Sequence, residues 1–429
     1  MKLDSLYKEE KTTHEALKMF ETLSSKIDIF QNVQRQPFFN DEPKLYDFST
    51  AYCSLDKNSK KITDFGGGID QNKEKALLKS VGEAVERYCI SIPQKNVLSS
   101  VNNLKPKAIN LDNFVDFTNK QLKNINFHKF TRNKNTKFWW TTGYSLPNFE
   151  KILVPSQLTS VPYKFVKEKI IRDPITTGAA LSTSLGGSIY RGICEIVERD
   201  AFMITYLNKL KRKSVDLDKS GVEIKNLNHL YSKYNLELHI IDISTDLDIP
   251  SMMGLVIDRT GIGPAISVGL SADIDPVIAA IKAAQEAIHS RPWYRKLMNV
   301  NIYNHDLNSF DGRAMYWVNP KMIKKIDFLI NNQSIVLKKR TVSLSMKNKI
   351  DYVLEKLNQH KFEIFFVNKT EKIIEENGFF VTMTIIPKLV PLYLDENYKY
   401  LGNPRLKEVP KKLGYNTPDN FYSIPHPFL

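Results

Sequence analysis

Two short segments of the sequence share one charged pattern, in which two glutamates lie three positions apart and an arginine follows directly. The first motif consists of Glu83, Glu86 and Arg87, and the second motif consists of Glu195, Glu198 and Arg199. Four carboxylates that face one another repel unless a cation lies between them, and Mg²⁺ commonly bridges protein carboxylates to phosphates. Arginine binds phosphate oxygens through its forked N–H groups. Provided that the two motifs face each other, they predict a site for a nucleoside triphosphate and Mg²⁺.

Each motif must lie on a helix that turns its charged face toward this site. A helix rotates by about 100° per residue, which places Ser80 on the face of the first motif and Arg191 on the face of the second motif. Apolar residues occupy the opposite face of each helix. One such helix is typical of a solvated surface with weak Glu–Arg pairs, but two copies favour a shared site.

Stretches of small residues precede both motifs. Residues 65–70 contain three successive glycines, and residues 176–188 are rich in Gly, Ser and Thr. Such stretches allow backbone N–H groups to approach an anion near the start of a helix. The sequence contains no GxxxxGK[ST] phosphate-binding loop, so any nucleotide-binding fold here is of another kind.

The spacing of apolar residues predicts the elements that carry these motifs. The predicted helices cover residues 9–26, 69–92, 188–210 and 275–297. The predicted strands lie within residues 44–65, as a pair within residues 138–155, and at residues 236–243, 251–258, 264–270, 361–367 and 378–386. Strands and long helices alternate without regular βαβ spacing, which predicts an α+β fold with mixed sheets.

Composition limits the cellular setting. No apolar run reaches the roughly 18 residues of a membrane span, and the first residues lack an apolar signal core. We therefore expect a cytoplasmic protein without a membrane span. Cys53, Cys89 and Cys194 show no CxxC spacing, which predicts reduced, buried thiols rather than a disulfide framework or a zinc site.

The chain has 429 residues and a formal net charge of +14, which favours an anionic partner. The basic excess is concentrated in residues 120–137 and 321–349. No helix-turn-helix, zinc-finger or RNA-recognition pattern accompanies these segments, so we do not expect nucleic acid to be the partner. They are interpreted as solvated surface or as docking sites for an acidic leader peptide or partner protein.

Five ordered segments resemble the YcaO family, and a sixth match lies at the C-terminal end. The five segments are residues 66–87, 140–155, 177–200, 242–250 and 279–291. The resemblance implies the family's non-P-loop ATP-binding fold, with mixed sheets and long helices. It implies that Mg²⁺ is held by Glu83, Glu86, Glu195 and Glu198, that Ser80 lines the site, and that Arg87, Arg199 and Arg291 contact ATP phosphates.

The resemblance also implies a reaction. In azoline-forming members, a Cys, Ser or Thr side chain of a peptide attacks the preceding backbone carbonyl. ATP phosphorylates the resulting oxyanion, and phosphate leaves to give a thiazoline or oxazoline ring. These members usually end in a Pro-x-Pro-x-Pro tail at the active site, and here Pro425 and Pro427 match while Leu429 replaces the last proline. The resemblance implies that these three residues take part in catalysis, and proline would stiffen the tail.

Several positions depart from the family pattern. Gly187 stands where a glutamate is common, Arg191 where Gln or His is common, and Thr183 where Asn is common. Arg191 lies on the face of Glu195, where it could add a positive contact to the nucleotide or crowd the metal. A non-catalytic scaffold subunit therefore remains an alternative, as does thioamide or amidine formation, against which the proline-containing tail argues.

The expected organisation is an N-terminal extension over residues 1–60, an ATP-binding domain over residues 61–400 and a tail over residues 401–429. The extension is too short for the ThiF-like domain that binds leader peptides in related systems. We therefore expect a separate ThiF-like partner, a precursor peptide and an FMN-dependent dehydrogenase that oxidises azolines. This arrangement resembles that of streptolysin-S-type toxin or bacteriocin clusters, and a homo-oligomer or hetero-complex is expected.

Overall fold

The computed structural model describes residues 3–37, 39–56, 60–105, 107–300, 306–330, 332–340 and 345–428. The chain forms two compact units, each built from separated segments. Unit 1 comprises Met1–Gln36, Leu45–Ile196 and Ser343–Lys388, and unit 2 comprises Pro37–Lys44, Val197–Val342 and Leu389–Leu429. The predicted division at residues 60 and 400 concerns sequence segments and stays a prediction.

The described residues contain strands and helices in mixed order. The strands are β1 (Phe30–Arg35), β2 (Tyr46–Leu55), β3 (Lys61–Asp70), β4 (Val97–Ser100), β5 (Lys137–Leu146), β6 (Glu150–Pro155), β7 (Ala179–Ser182), β8 (Ser214–Val215), β9 (Leu236–Asp242), β10 (Ser251–Asp258), β11 (Ile266–Ala272), β12 (Ser334–Ile335), β13 (Ile364–Asn368) and β14 (Phe380–Ile385). The α-helices are α1 (Thr13–Ser24), α2 (Lys73–Ser91), α3 (Asn119–Leu122), α4 (Leu185–Leu207), α5 (Val222–Ser232), α6 (Pro276–His289), α7 (Arg291–Asn299), α8 (Phe310–Trp317), α9 (Met346–Gln359), α10 (Lys372–Glu376) and α11 (Arg405–Lys412). Short 3₁₀ helices cover Leu3–Leu6, Val101–Asn103, Leu111–Asn113, Ile125–Phe130, Ser156–Leu158, Pro320–Leu329 and Glu396–Tyr398.

Unit 1 contains two antiparallel sheets with α2 against both. The first sheet has the strand order β1-β2-β3, and the second has the order β4-β5-β13-β14-β7 with β6 paired to β5. Helix α2 packs on β2 and β3 and also contacts β7. Its apolar face, including Val81, Ala84 and Val85, enters a core shared with Trp140 and Val381. This packing turns the charged face of α2 away from the core.

Unit 2 is organised around one mixed sheet with the order β11-β10-β9-β8-β12, in which β12 pairs with β8 in parallel and the other pairs are antiparallel. Helix α6 lies against β10 and β11. The approach is close because Gly254 and Gly269 face the backbone of Ala283, where any larger residue would collide. The α+β class with mixed sheets is therefore confirmed.

Both helices that carry the motifs are present, with ends that differ from the prediction. Helix α2 begins at Lys73, four residues later than predicted, because Ile69 and Asp70 belong to β3 and the Asn72 side chain accepts a hydrogen bond from the Lys75 N–H (3.0 Å). Helix α4 begins at Leu185, three residues earlier than predicted, because the Ser184 hydroxyl accepts from the Gly187 N–H (3.1 Å). The predicted strand pair within residues 138–155 is also confirmed, as β5 and β6.

The single helix predicted over residues 275–297 is wrong. Two helices, α6 and α7, occupy this stretch, and they are separated at Ser290. Pro292 explains the break, because its ring crowds the carbonyl four residues earlier and it has no N–H to continue the helix. Apolar periodicity continues through the break, so periodicity alone does not detect it.

Cys53, Cys89 and Cys194 form no disulfide bond with one another. Cys89 and Cys194 are buried, whereas Cys53 is only half-buried. Burial raises the pKa of the Cys89 thiol to about 12. No helix in the described part of the chain is long and apolar enough to cross a membrane.

Candidate active site

The first motif forms a tight cluster on α2 next to strand β3. The Glu83 carboxylate accepts hydrogen bonds from the Gly67 N–H (2.6 Å) and from Arg87 (3.0 Å). Arg87 Nε also lies 3.8 Å from Glu86 Oε1. Charge-assisted bonds of this kind hold the glutamates in defined positions.

The three glycines before the first motif were expected to let backbone N–H groups approach an anion near the start of a helix, and instead they lie in a strand that packs under the middle of α2. Gly66, Gly67 and Gly68 lie within β3, paired with β2. A Cβ at Gly66 would lie 2.5 Å from the Ala84 backbone nitrogen. The glycines therefore allow α2 to lie directly on β3, which brings the Gly67 N–H to Glu83.

The residue before strand β7 binds a carboxylate of the second motif within unit 1. The Gly178 N–H donates to Glu195 (3.0 Å), and the backbone N–H of Leu181 in β7 acts to lower the pKa of the Glu86 carboxyl. Gly178 has a positive φ of 94°, a conformation that favours glycine. The stretch of small residues before the second motif thus supplies a backbone donor to a carboxylate of that motif.

The carboxylates of this cluster are close enough to influence one another. Burial raises the pKa of the Glu86 carboxyl to about 8. The positive charge of Arg87 acts to lower this pKa, whereas the negative charges of Glu195 and Glu83 act to raise it. A cation near Glu86 would relieve this repulsion, and carboxylate oxygens are the ligands that Mg²⁺ prefers. The donor set fits Mg²⁺ in kind and charge. Within the described ranges, however, no three His, Cys, Asp or Glu side chains already converge as the ligands of one ion.

Ser80 lies on the face of α2 that packs on the first sheet, and it is fully buried. Its hydroxyl lies 2.7 Å from Thr50 Oγ1 and donates to the Gly66 carbonyl (3.0 Å). These bonds tie α2 to both β2 and β3. A contact between Ser80 and the nucleotide stays a prediction.

Arg191, on the first half of α4, contacts a residue that the sequence did not indicate. Its guanidinium donates to the Leu181 carbonyl (2.8 Å) and pairs with Glu10 (2.7 Å). Glu10 belongs to the segment before α1 and precedes Arg191 by 181 residues in the sequence. No local pattern marks it, because its partners are all distant along the chain.

Helix α4 continues into unit 2, where the rest of the second motif lies. Glu198 and Arg199 are buried and pair with each other. The next residue, Asp200, is fully buried and binds Arg405 through two hydrogen bonds of 2.8 and 2.7 Å. Asp200 also accepts from the Val390 N–H (2.8 Å). Asp200 therefore fixes this end of α4 within unit 2.

Arg291 is fully buried at the start of α7. Its guanidinium donates to Glu42 (2.8 and 2.9 Å), to Asp258 (3.1 Å) and to the Pro264 carbonyl (2.9 Å). Each of its three nitrogens thus binds a protein oxygen. The structure does not bring Arg291 into contact with Arg199, and the role that the resemblance implies for it stays a prediction.

The tail of residues 421–428 is bound within unit 2 rather than frayed. Pro425, Pro427 and Phe428 are buried, and the Pro425 carbonyl accepts from Tyr206 (2.9 Å). The Phe428 ring lies under the Arg199 guanidinium, with 4.1 Å between the guanidinium carbon and the ring centre. Leu429, the third predicted catalytic residue, lies outside the described residues.

His426 anchors the same tail. Its Nε2 lies 2.7 Å from the Tyr393 carbonyl and 3.1 Å from Arg313. Burial lowers the pKa of His426 well below its usual range, and the charge of Arg313 acts in the same direction. A neutral imidazole is therefore part of the docked state of the tail.

Comparison with known proteins identifies relatives of this chain. Residues 67–390 match the family model described as YcaO cyclodehydratase, ATP- and Mg²⁺-binding. An uncharacterized protein in the tfuA 3′ region of Rhizobium leguminosarum bv. trifolii is 24% identical over 249 residues, which cover 54% of this chain and 56% of the relative. An uncharacterized protein of Methanothermobacter thermautotrophicus is 25% identical over 158 residues, which cover 35% and 40% respectively. The chain thus spans about half the length of the curated relatives it matches.

Solved structures share the fold. A heterocyclase in complex with substrate and cofactor has a TM-score of 0.81 at 19% identity, covering 97% of this chain and 57% of that one. YcaO from Methanopyrus kandleri, bound with AMPPCP and Mg²⁺, has a TM-score of 0.67 at 12% identity, with coverages of 91% and 94%. The E. coli microcin synthetase McbBCD complex with bound pro-MccB17 has a TM-score of 0.60 at 14% identity, with coverages of 83% and 87%.

Proposed function

Because the chain belongs to the YcaO cyclodehydratase family, which is ATP- and Mg²⁺-binding, we propose that it is an azoline-forming cyclodehydratase of the D-protein type. Its substrate is a ribosomally made precursor peptide whose Cys, Ser or Thr residues become thiazolines or oxazolines. The observation that carries this assignment is the burial of the proline-containing tail against Arg199 of the second motif. The family resemblance assigns both Arg199 and the tail to the reaction, and their contact supports a shared role.

In the proposed reaction, the peptide side chain attacks the preceding backbone carbonyl and the amide oxygen leaves. ATP supplies the phosphoryl group that makes this oxygen a leaving group, so the peptide loses one water in total. The chain's own part is positioning and charge neutralisation, which dominate phosphoryl transfer. Arg87 is suited to a phosphate contact because its forked guanidinium lies beside Glu83 and Glu86, the proposed ligands of the ion that would bind the phosphates.

We propose that Glu83, Glu86 and Glu195 hold Mg²⁺. Burial raises the pKa of Glu86 to about 8, and the charges of Glu195 and Glu83 also act to raise it; a divalent cation would be stabilised by the same charges. Gly67 and Gly178 hold Glu83 and Glu195 in place through backbone N–H groups. Because these ligands are already held in place, little free energy is lost in ordering them when the ion binds.

The proposed roles in unit 2 require an exchange of partners. Glu198 as a metal ligand and Arg199 as a phosphate contact would first have to separate from each other. Arg291 would have to exchange Glu42 and Asp258 for a phosphate. Pro425 and Pro427 are buried and would restrict the path of the tail. They would thereby place Leu429 for its proposed part in catalysis.

The proposed partners are a ThiF-like leader-binding protein, the precursor peptide and an FMN-dependent dehydrogenase, acting in the cytoplasm on a toxin or bacteriocin. The basic segment of residues 120–137 carries several exposed lysines that would suit an acidic leader or partner. The test mixes the chain with its partner, the precursor and Mg²⁺-ATP, and follows the mass of the peptide. Loss of one water per cyclised residue is expected, whereas an unchanged mass with a competent partner contradicts the proposal.

A second candidate is a non-catalytic scaffold subunit, which the departures at Gly187 and Arg191 favour. ATP hydrolysis distinguishes the two. Hydrolysis that disappears in Glu83→Ala and persists in the exposed control Glu223→Ala excludes the scaffold. Thioamide or amidine formation is separated from cyclisation by the product mass.

A further inference from the structure

The segment before α1 crosses the first turn of α4 in unit 1. The Leu6 carbonyl packs against Gly186, where a side chain would collide with it. The Lys11 N–H donates to Thr183 Oγ1 (2.8 Å), and the Glu9 carboxylate accepts from the Met346 N–H (2.8 Å) at the start of α9. Residues 6–11 are therefore fixed at both ends rather than loosely attached.

Between these anchors, Glu10 fills the space beside Gly187. A Cβ at residue 187 would lie 2.6 Å from Glu10 Oε1, closer than non-bonded atoms approach. The same oxygen pairs with Arg191 (2.7 Å) and accepts from the Ser182 hydroxyl. The three residues thus depend on one another: the absence of a side chain at Gly187 leaves room for the Glu10 carboxylate, and this carboxylate pairs with Arg191.

This arrangement is connected to the candidate metal site through β7. Arg191 donates to the Leu181 carbonyl in β7 (2.8 Å), and the Gly178 N–H directly before this strand donates to Glu195 (3.0 Å). Ser182, the residue after Leu181 in the strand, binds Glu10. A change at Glu10 therefore acts on the short strand that adjoins the backbone donor of Glu195.

We propose that Glu10 is a positioning residue of the Mg²⁺–nucleotide site. Its carboxylate, delivered by the segment before α1 into the space beside Gly187, fixes Arg191 and Ser182. Together they hold β7 and, with it, the Gly178 N–H that donates to Glu195. This inference rests on the proposed function for its consequence in nucleotide binding, but the arrangement of β7 is testable without any nucleotide.

The first test uses Glu10→Gln, with Glu10→Asp as the conservative variant and Glu21→Gln, an exposed glutamate of α1, as the control. Binding of AMPPCP with Mg²⁺ is measured by calorimetry, and amide exchange of residues 179–182 is measured without nucleotide. Glu10→Gln is expected to weaken binding about tenfold and to speed exchange in β7, while Glu10→Asp retains part of both. Unchanged exchange in Glu10→Gln overturns the proposal. If the wild-type chain binds no nucleotide, the proposed function fails and the exchange result still decides the role of Glu10.

The second test moves the carboxylate from residue 10 to residue 187. Gly187→Glu in the natural chain is expected to weaken binding and to loosen β7, because its Cβ meets Glu10. In the Glu10→Ala background the Glu10 carboxylate no longer fills that space, and the remaining close neighbour of the new Cβ is the Ser182 hydroxyl, which can rotate away about χ1. The same substitution is therefore expected to restore protection of β7 toward the natural level. Equal damage by Gly187→Glu in both backgrounds overturns the claim that residues 10 and 187 compete for one space.

Discussion

The Arg199 guanidinium lies on the face of the Phe428 ring, 4.1 Å from its centre, while it also pairs with Glu198. One buried cation thus joins the second motif to the tail. Cation–π contacts that are removed from water contribute about 2 kcal/mol. The position of the tail and the electrostatics of the motif are therefore coupled within unit 2.

Replacing Phe428 by alanine is expected to release the tail. The ring leaves both the Arg199 guanidinium and the Phe202 ring, so amide exchange of residues 421–428 should accelerate. Ile262→Ala, at an exposed apolar position of unit 2, is the control and should leave this exchange unchanged.

Deletion of residues 425–429 should abolish cyclisation and leave ATP binding largely intact. Normal cyclisation after the deletion contradicts a role for the tail.

Glu86 is expected to make the metal-free protein less stable as the pH rises. Its carboxyl has a pKa of about 8 in the folded chain against an ordinary value of 4.5. The folded state therefore binds more protons than the unfolded state between these values, so the free energy of unfolding falls as the pH increases through this window.

Glu86→Gln should remove this dependence, because glutamine does not titrate. Urea unfolding in EDTA between pH 5 and pH 8 (roughly the window between the two pKa values) measures the slope. The variant should also lose Mg²⁺-dependent nucleotide binding, so that a gain in stability at alkaline pH accompanies a loss of function. An identical slope in both proteins contradicts the raised pKa.

Two glycines near the first motif are expected to respond in opposite directions to alanine. At Gly66 the new Cβ would meet the backbone of Ala84 (2.5 Å) and of Ser80 (2.7 Å), which have no room to move. We expect a loss of about 1–3 kcal/mol in the free energy of unfolding. At Gly82, inside α2, the nearest atom is Leu181 Cδ2 at 3.9 Å, so alanine should stabilise the helix by about 0.5–1 kcal/mol. Equal effects would show that α2 and β3 are not in close contact.

The Asp200–Arg405 pair should dominate the stability of this part of unit 2. Both side chains are buried and joined by two hydrogen bonds, so Asp200→Asn leaves the buried guanidinium with Asp246 (3.0 Å) as its remaining carboxylate and should cost about 3 kcal/mol. Glu237→Gln is the matched control, because the Glu237–Arg259 pair has similar geometry but is about half exposed. Its cost should be about 1 kcal/mol or less. Denaturant unfolding of both variants tests the contrast.

The local features of the site were accessible from the sequence. The 3.6-residue period identified α2 and α4, and it placed Glu83, Glu86 and Arg87 on one face, because these relations depend only on nearby residues and on helix geometry. The ordered segments also led to the YcaO family, which the family match over residues 67–390 confirms. The break at Ser290 was missed because apolar periodicity outweighed the single proline that causes it.

Contacts between distant residues were decided only by the tertiary structure. The glycines of β3 were interpreted as an approach for an anion near the start of a helix, but packing against α2 made them part of a strand whose Gly67 N–H holds Glu83. Glu10 reaches Arg191, Glu42 reaches Arg291, and Asp200 reaches Arg405 across 181, 249 and 205 residues of the chain. A sequence pattern records which residues can form ion pairs, whereas the choice of partner depends on which charges are buried together. Burial makes an uncompensated charge costly, and the folded packing alone determines where that cost arises.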